Sequence, residues 1–382
     1  MTMTTVYGHC APAFEGVKAA FQNNFDQNRD DGASVCITID GTPVVDLWGG
    51  TRDADHSLPW EEDTVVNVYS TTKTMAALTM LLLADRGVFA LEDPVAKSWP
   101  EFAAEGKGEV TIAMLLAHSA GLSGLDTPAK GEALYDHDDI AARLGAQAPW
   151  WEPGSASGYH ALTQGYLLGE VVRRTTGKTL GTVFREEIAD PLGIDFHIGT
   201  PETVDPRIGD LIPPEQNIGE ATGGSPDSIS ARTFKSPLPM ALDSRTIGWR
   251  RAELPAANGH GNARSVARAQ AVLACGGALD GKRILSEAGC RRALESQISG
   301  VDLVLNNPIN FGMGYGLANP NMPLPPSMCY WGGWGGSLIL VDQDRRITVS
   351  FVMNRMVSTL MGDPRTLGIM AAAEAGFAQH SG

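Results

Sequence analysis

The sequence predicts an α/β (α+β) fold: one antiparallel sheet assembled from both termini with flanking helices, plus an inserted, mainly helical lobe. Three observations predict it. Near the N-terminus, β-rich runs from Ala33 to Ile39 and from Thr42 to Gly50 flank Asp40-Gly41, a strong hairpin signal. Near the C-terminus, Ser337 to Val341 and Ile347 to Met353 flank Asp342-Gln343-Asp344-Arg345-Arg346 as a second hairpin. Between them the chain reads as helices joined by long loops. The expected division is an α/β domain of residues 1–74 and 186–382 and a helical domain of residues 75–185.

The elements follow in order. Phe14, Val17, Phe21 and Phe25 recur at helical spacing, which predicts a helix within residues 13–29. A linker with Pro59 leads to Val65-Val66-Asn67-Val68-Tyr69 and then to a long apolar helix opening at Ser70. That helix stops near Arg86-Gly87, with glycine as the residue after the cap. Gly165 to Thr176 reads as helical and stops at Gly177. Residues 198–257 are rich in Pro, Gly, Ser and Asp and show little periodicity; such stretches in compact chains usually form functional loops or lids. Helical spacing returns from Asn262 to Leu273, Met328 to Trp331 is a further β run, and residues 364–379 close as an Ala-rich helix.

Composition bounds the function classes. The 382 residues are 43% hydrophobic, ample for a large core. A net charge of −15 argues against nucleic acid and anionic membrane surfaces as partners. Cys10, Cys36, Cys275, Cys290 and Cys329 are scattered and form no C-x-x-C pair, which predicts buried free thiols in a reducing compartment and no structural zinc. Met1 to Gly16 lacks a basic segment followed by an apolar run, so no signal peptide is expected. No apolar run approaches about 18 residues, so no membrane span is expected either, and cytoplasmic localisation follows.

Tyr69-Ser70-Thr71-Thr72-Lys73 carries the first chemical signal. Ser70 and Lys73, three residues apart, share one helix face as a nucleophile and a possible base. The apolar residues after Lys73 should bury this helix. A lysine at its buried end costs desolvation free energy unless it has partners or loses its proton. The plain structural alternative is that Ser70 is an N-cap and Lys73 snorkels to solvent. A second signal is Tyr159, in Gly158-Tyr159-His160-Ala161 before a helix, facing a cleft or packing half-buried. The third is Tyr330-Trp331-Gly332-Gly333-Trp334-Gly335-Gly336-Ser337. Its glycines let the backbone approach a ligand closely, and an exposed N–H there could stabilise an oxyanion; the alternative is a bulged strand turn. The histidines show no ligand spacing, so no metal is expected. Asp136-His137-Asp138-Asp139 reads as a solvated loop rather than a cation site.

The three segments in this order resemble the signature set of penicillin-binding proteins and serine β-lactamases. Leu115-Leu116-Ala117-His118-Ser119-Ala120-Gly121-Leu122, Trp151-Glu152-Pro153-Gly154, Pro191-Leu192-Gly193 and Asn258 to Arg264 are similar to further segments of that group, over residues 15–375. Two departures are informative. Trp331-Gly332-Gly333 stands where K-T-G would, so an apolar wall replaces the lysine that helps hold the carboxylate of β-lactams and peptides. Tyr159-His160-Ala161 stands where Y-x-N would, so an amide that contacts acylamino side chains is missing. Both changes resemble the family VIII carboxylesterases.

That resemblance implies a class C β-lactamase-like fold and hydrolysis of short-acyl esters, with a small-molecule ester as partner and neither cofactor nor metal. It implies an acyl-enzyme on Ser70, activated by Lys73 and Tyr159, with the choice of base open. The oxyanion donors are the backbone N–H groups of Ser70 and Trp334; a rival register would use Ser337. Trp331, Gly332, Gly333, His160 and Trp151 are the expected substrate contacts, with Trp150 as a further pocket candidate. His118 is expected to be a hydrogen-bonded core histidine. A β-lactamase, a D-aminopeptidase or an acyltransferase on the same machinery, and an inactive scaffold, are the alternatives. An α/β-hydrolase is excluded, because Gly154-Ser155-Ala156-Ser157-Gly158 puts Ala156 where the nucleophile would stand. Oligomeric state is not legible.

Overall fold

The structure is a computed structural model and describes residues 4–215, 225, 227–235, 240–358 and 363–380. Its main sheet has six strands: β1 (Val6–Cys10), β2 (Gly32–Ile39), β3 (Thr42–Gly50), β4 (Met328–Gly332), β5 (Leu338–Asp342) and β6 (Ile347–Met353). Their order is β1-β3-β2-β6-β5-β4, with every neighbour antiparallel. Both hairpins therefore form. At the first turn Asp40 and Gly41 take positive φ, 51° and 76°, the mirror-image turn that matches strand twist. β2 and β6 zip the two ends of the chain together, from Ile39 opposite Ile347 to Ala33 opposite Met353. Thr38 and Thr348 share a hydroxyl contact of 2.6 Å across this seam.

The principal helices are α1 (Glu15–Asp26), α2 (Thr72–Asp85), α3 (Thr163–Thr176), α4 (Ala263–Ala274) and α5 (Pro364–His380). Side chains alternate across a strand, so β3 reports which helix covers which face. Asp46 and Trp48 meet Arg264 of α4, whereas the backbone at Gly49 meets Phe25 of α1. α5 packs beside α1, where Phe14 and Phe377 meet edge to face at 5.4 Å. Coverage of both faces explains why β6 is buried along its whole length, Thr348 and Ser350 included.

α2 packs against α4 and is buried on every side from Thr72 to Leu83. It spans the boundary placed at 74/75, and the hydrophobic core runs continuously from the sheet into the helical lobe. Among the described residues no helix is long and apolar enough to cross a membrane. All five cysteines are free thiols, four of them buried.

Two expectations change, and one strand was not anticipated. β1 has no apolar alternation and was not legible; its pairing with the free edge of β3 makes it a strand. Asp136 to Asp139 is not a loop: Asp136 caps the helix His137–Ala146 by accepting the Asp139 N–H at 3.0 Å. The 198–257 stretch holds short helices at Ile229–Lys235, Ala241–Arg245 and Ile247–Arg251, while residues 216–224, 226 and 236–239 lie outside the described residues.

Leu78 has no exposed surface, and Leu242 is 52% exposed. Leu78→Ala is expected to destabilise the fold by about 2–5 kcal/mol in urea unfolding with an unchanged m-value, and Leu242→Ala by about 0.5 kcal/mol at most.

Candidate active site

A short ladder of Val66–Asn67 against His260–Gly261, extended by the Val68 N–H donating to Gly259 O at 2.9 Å, delivers the chain to a tight turn, Tyr69–Thr71. Tyr69 has φ +42°, an outlier for a bulky residue that costs roughly 1–3 kcal/mol. Its surroundings hold it there. The ring packs against Trp334 at 5.0 Å and Trp249 at 6.1 Å, and its hydroxyl donates to Ala241 O at 3.2 Å. Ser70 follows this strained residue and leads directly into α2. Its side chain caps no helix; it meets Tyr159 and Lys73 instead.

Lys73 does not snorkel. It is 2% exposed, and its Nζ lies 2.7 Å from Ala161 O, 2.9 Å from Ala256 O and 3.2 Å from Ser70 Oγ. Burial pushes its pKa well below the ordinary lysine value, and no carboxylate opposes the shift. A neutral amine has two N–H donors and one lone pair. In that form the two carbonyls would accept both donors and the lone pair would face the Ser70 hydroxyl.

Tyr159 Oη donates to Ser70 Oγ at 2.5 Å. The ring is 4% exposed, and burial pushes the phenol above its usual pKa. The Trp331 side chain opposes that rise, although its Nε1–H has no hydrogen bond of good geometry. Asp302 anchors the loop behind Tyr159: its Oδ1 accepts the N–H groups of Tyr159, Val304 and Leu305 at 3.1, 2.9 and 2.8 Å.

The glycine-rich segment docks onto the Ser70 turn. The Gly333 N–H donates to Ser337 O at 2.8 Å, closing a turn between β4 and β5. Ser337 Oγ donates to Val68 O at 2.8 Å and lies 2.9 Å from Thr71 Oγ1. A Cβ on Gly333 would overlap the Val68 carbonyl, so only glycine admits this approach. No described residue accepts the Trp334 N–H.

Ser70, Tyr159, Trp331, Gly332, Gly333 and Trp334 all line one cleft of about 250 Å³. Its walls are mostly apolar, with Leu162, Phe234, Leu305, Met322, Leu367 and Met370 among them. Among the described lining residues Asp363 is the one charged side chain, and no Lys, Arg or His lines the cleft. The contribution of α5 was not legible, because Leu367 and Met370 carry no motif beyond apolar spacing.

Two expected contacts lie elsewhere. His160 is fully buried; its Nδ1 meets Gly158 O at 2.6 Å and its Nε2 accepts the Leu122 N–H at 3.1 Å. Both ring nitrogens are thus used, and burial lowers its pKa to about 4. Trp151 packs against His160 and donates from Nε1 to Ala156 O at 2.9 Å, outside the cleft. Trp150 is also outside, sandwiched by Arg232 at 3.9 Å. His118 is buried and accepts the His160 N–H at 3.1 Å, the core role expected of it. No group of His, Cys, Asp or Glu suited to hold a metal occurs among the described residues.

Comparison with known proteins shows the family. The family description Beta-lactamase matches residues 17–374. The chain is 36% identical over 381 residues to esterase/beta-lactamase LipL of Mycobacterium tuberculosis, covering 93% of this chain and 84% of LipL. It is 28% identical to esterase EstB of Burkholderia gladioli, covering 94% of each. A crystal structure of a family VIII carboxylesterase superposes with a TM-score of 0.91 at 39% identity, covering 97% of this chain and 100% of that one. The chain therefore belongs to the β-lactamase family, on its family VIII carboxylesterase branch.

Proposed function

We propose that this protein hydrolyses short-chain carboxylic esters through an acyl-enzyme on Ser70. One observation carries the reading: Ser70 Oγ stands 2.5 Å from Tyr159 Oη and 3.2 Å from Lys73 Nζ, in an apolar cleft whose described lining holds no Lys, Arg or His. The esterase names of LipL and EstB support it.

The opposite directions of the two pKa shifts favour Lys73 as the base. Burial drives lysine toward its neutral, proton-accepting form and holds tyrosine as a phenol. Ser70 Oγ attacks the ester carbonyl while its proton passes to Lys73. The Tyr159 hydroxyl then protonates the leaving alkoxide and recovers its proton from Lys73. Water repeats the sequence to release the acid. The N–H groups of Ser70 and Trp334 hold the oxyanion, and loss of one such donor costs about 2.7–4 kcal/mol of barrier. Trp334 is preferred to Ser337 because Trp331-Gly332-Gly333 then closes β4 and leaves the next strand, β5, to start after Ser337. Trp331 presents an indole where a β-lactam or peptide carboxylate would need a cation. A cleft of about 250 Å³ suits a short acyl group.

Ser70→Ala is expected to lose at least about three orders of magnitude in hydrolysis of p-nitrophenyl acetate and butyrate. Wild type is expected to turn these over faster than a chromogenic cephalosporin; the reverse preference would overturn the esterase assignment. Lys73→Met is expected to lose most acylation.

Lys73→Met also tests the proton itself. The folded pKa of Lys73 is depressed, so between that value and the unfolded value of about 10.4 the unfolded chain binds one more proton. Stability from this site therefore rises with pH across that window. The unfolding free energy of wild type minus Lys73→Met should climb by up to about 1.4 kcal/mol per pH unit between pH 7 and 9.5. A flat difference in denaturant titrations would mean that Lys73 keeps its proton.

A further inference from the structure

Arg365, in the first turn of α5, is 1% exposed and lies between the carboxylates of Asp30 and Asp363. Every guanidinium N–H is used. Nε donates to Asp363 Oδ1 at 3.0 Å; Nη1 donates to Asp30 Oδ1 and Arg355 O, both at 2.7 Å. Nη2 donates to Asp363 Oδ2 at 2.6 Å and to Gly335 O at 2.7 Å.

The last bond gives the cluster a purpose beyond stability. Gly335 follows Trp334 in the turn between β4 and β5, and its carbonyl also accepts the Val357 N–H at 3.1 Å. Gly336, at φ +121°, lies so close to the cluster that a Cβ would overlap Arg365 Nη2 and Asp363 Oδ2. The turn thus rests on the guanidinium. A buried ion cluster is seldom more stabilising than apolar packing of equal volume, whereas a planar five-donor fork imposes direction. Asp363 itself also lines the cleft, so the cluster reaches the substrate space.

We propose that Arg365 is a positioning residue for the oxyanion-binding turn: by holding the Gly335 carbonyl it fixes the orientation of the turn that presents the Trp334 N–H to the cleft. This rests on the esterase reading above. A clamp of this kind acts on the tetrahedral intermediate and leaves ground-state binding alone.

The test is Arg365→Lys, which keeps the charge but loses the fork, with folding checked by circular dichroism. For p-nitrophenyl acetate, kcat should fall at least about tenfold while KM stays within about twofold. Inhibition by an alkyl trifluoromethyl ketone, whose hemiketal on Ser70 carries an oxyanion, should weaken by the same factor as kcat/KM. Inhibition by the matching methyl ketone should not change. Gly336→Ala, which presses on the clamp from the turn side, should give the same pattern if Arg365→Lys does not fold. Equal weakening of both ketones, or of neither, in a folded variant would overturn the clamp. Ester turnover surviving in Ser70→Ala would overturn the esterase reading itself, whereas an inactive Ser70→Ala beside an unaffected Arg365→Lys removes the clamp alone.

Discussion

Lys73 lies buried behind Ser70 with two peptide carbonyls and one hydroxyl around its Nζ and, among the described residues, no carboxylate to balance its charge. Burial of an unpaired ammonium is costly, and proteins relieve it by releasing the proton. Here burial shifts the Lys73 pKa in that direction, with Nζ 3.2 Å from Ser70 Oγ. The surrounding architecture maintains the condition. α2 is buried from Thr72 to Leu83, which shields Nζ from bulk solvent. Ala161 and Ala256, from distant parts of the chain, close over it, and their carbonyls orient its two N–H bonds.

The same enclosure demands that the site be assembled from sequence-distant pieces. β2 and β6 join the two ends of the chain, and this seam brings the Gly333–Ser337 turn onto the Val68–Thr71 turn. Strain and close packing concentrate there: Tyr69 at positive φ, a glycine pressed on Val68 O, and a buried guanidinium on Gly335 O. Such features persist only where the fold over-determines them, and they cluster where geometry must be exact to a fraction of an ångström.

The sheet, its hairpins and the Ser70–Lys73 pair were legible in the sequence because each rests on local chemistry. Asp40-Gly41 favours the turn that it forms, and the spacing of Ser70 and Lys73 sets them on one helix face. Tyr159 and Trp331 came from the order of segments rather than from spacing. What escaped was set by tertiary packing. β1 becomes a strand only because β3 has a free edge. His160 adjoins Tyr159 and Trp151 lies in a motif segment, but their polar atoms meet Gly158, Leu122 and Ala156 instead. The α5 wall sets Met370 in one cleft with Ser70, and the Asp30–Arg365–Asp363 cluster joins residues 335 positions apart, pairings that no local pattern announces.

The central claim is that Ser70 becomes acylated. The direct measurement is acid quench of the enzyme during steady-state turnover of p-nitrophenyl butyrate, followed by peptide mass mapping. The account predicts a butyryl adduct on the peptide holding Ser70, fragmenting to that side chain, and absent from Ser70→Ala. Turnover with the adduct on another residue, or with no adduct when a p-nitrophenol burst shows that an intermediate has accumulated, would contradict it.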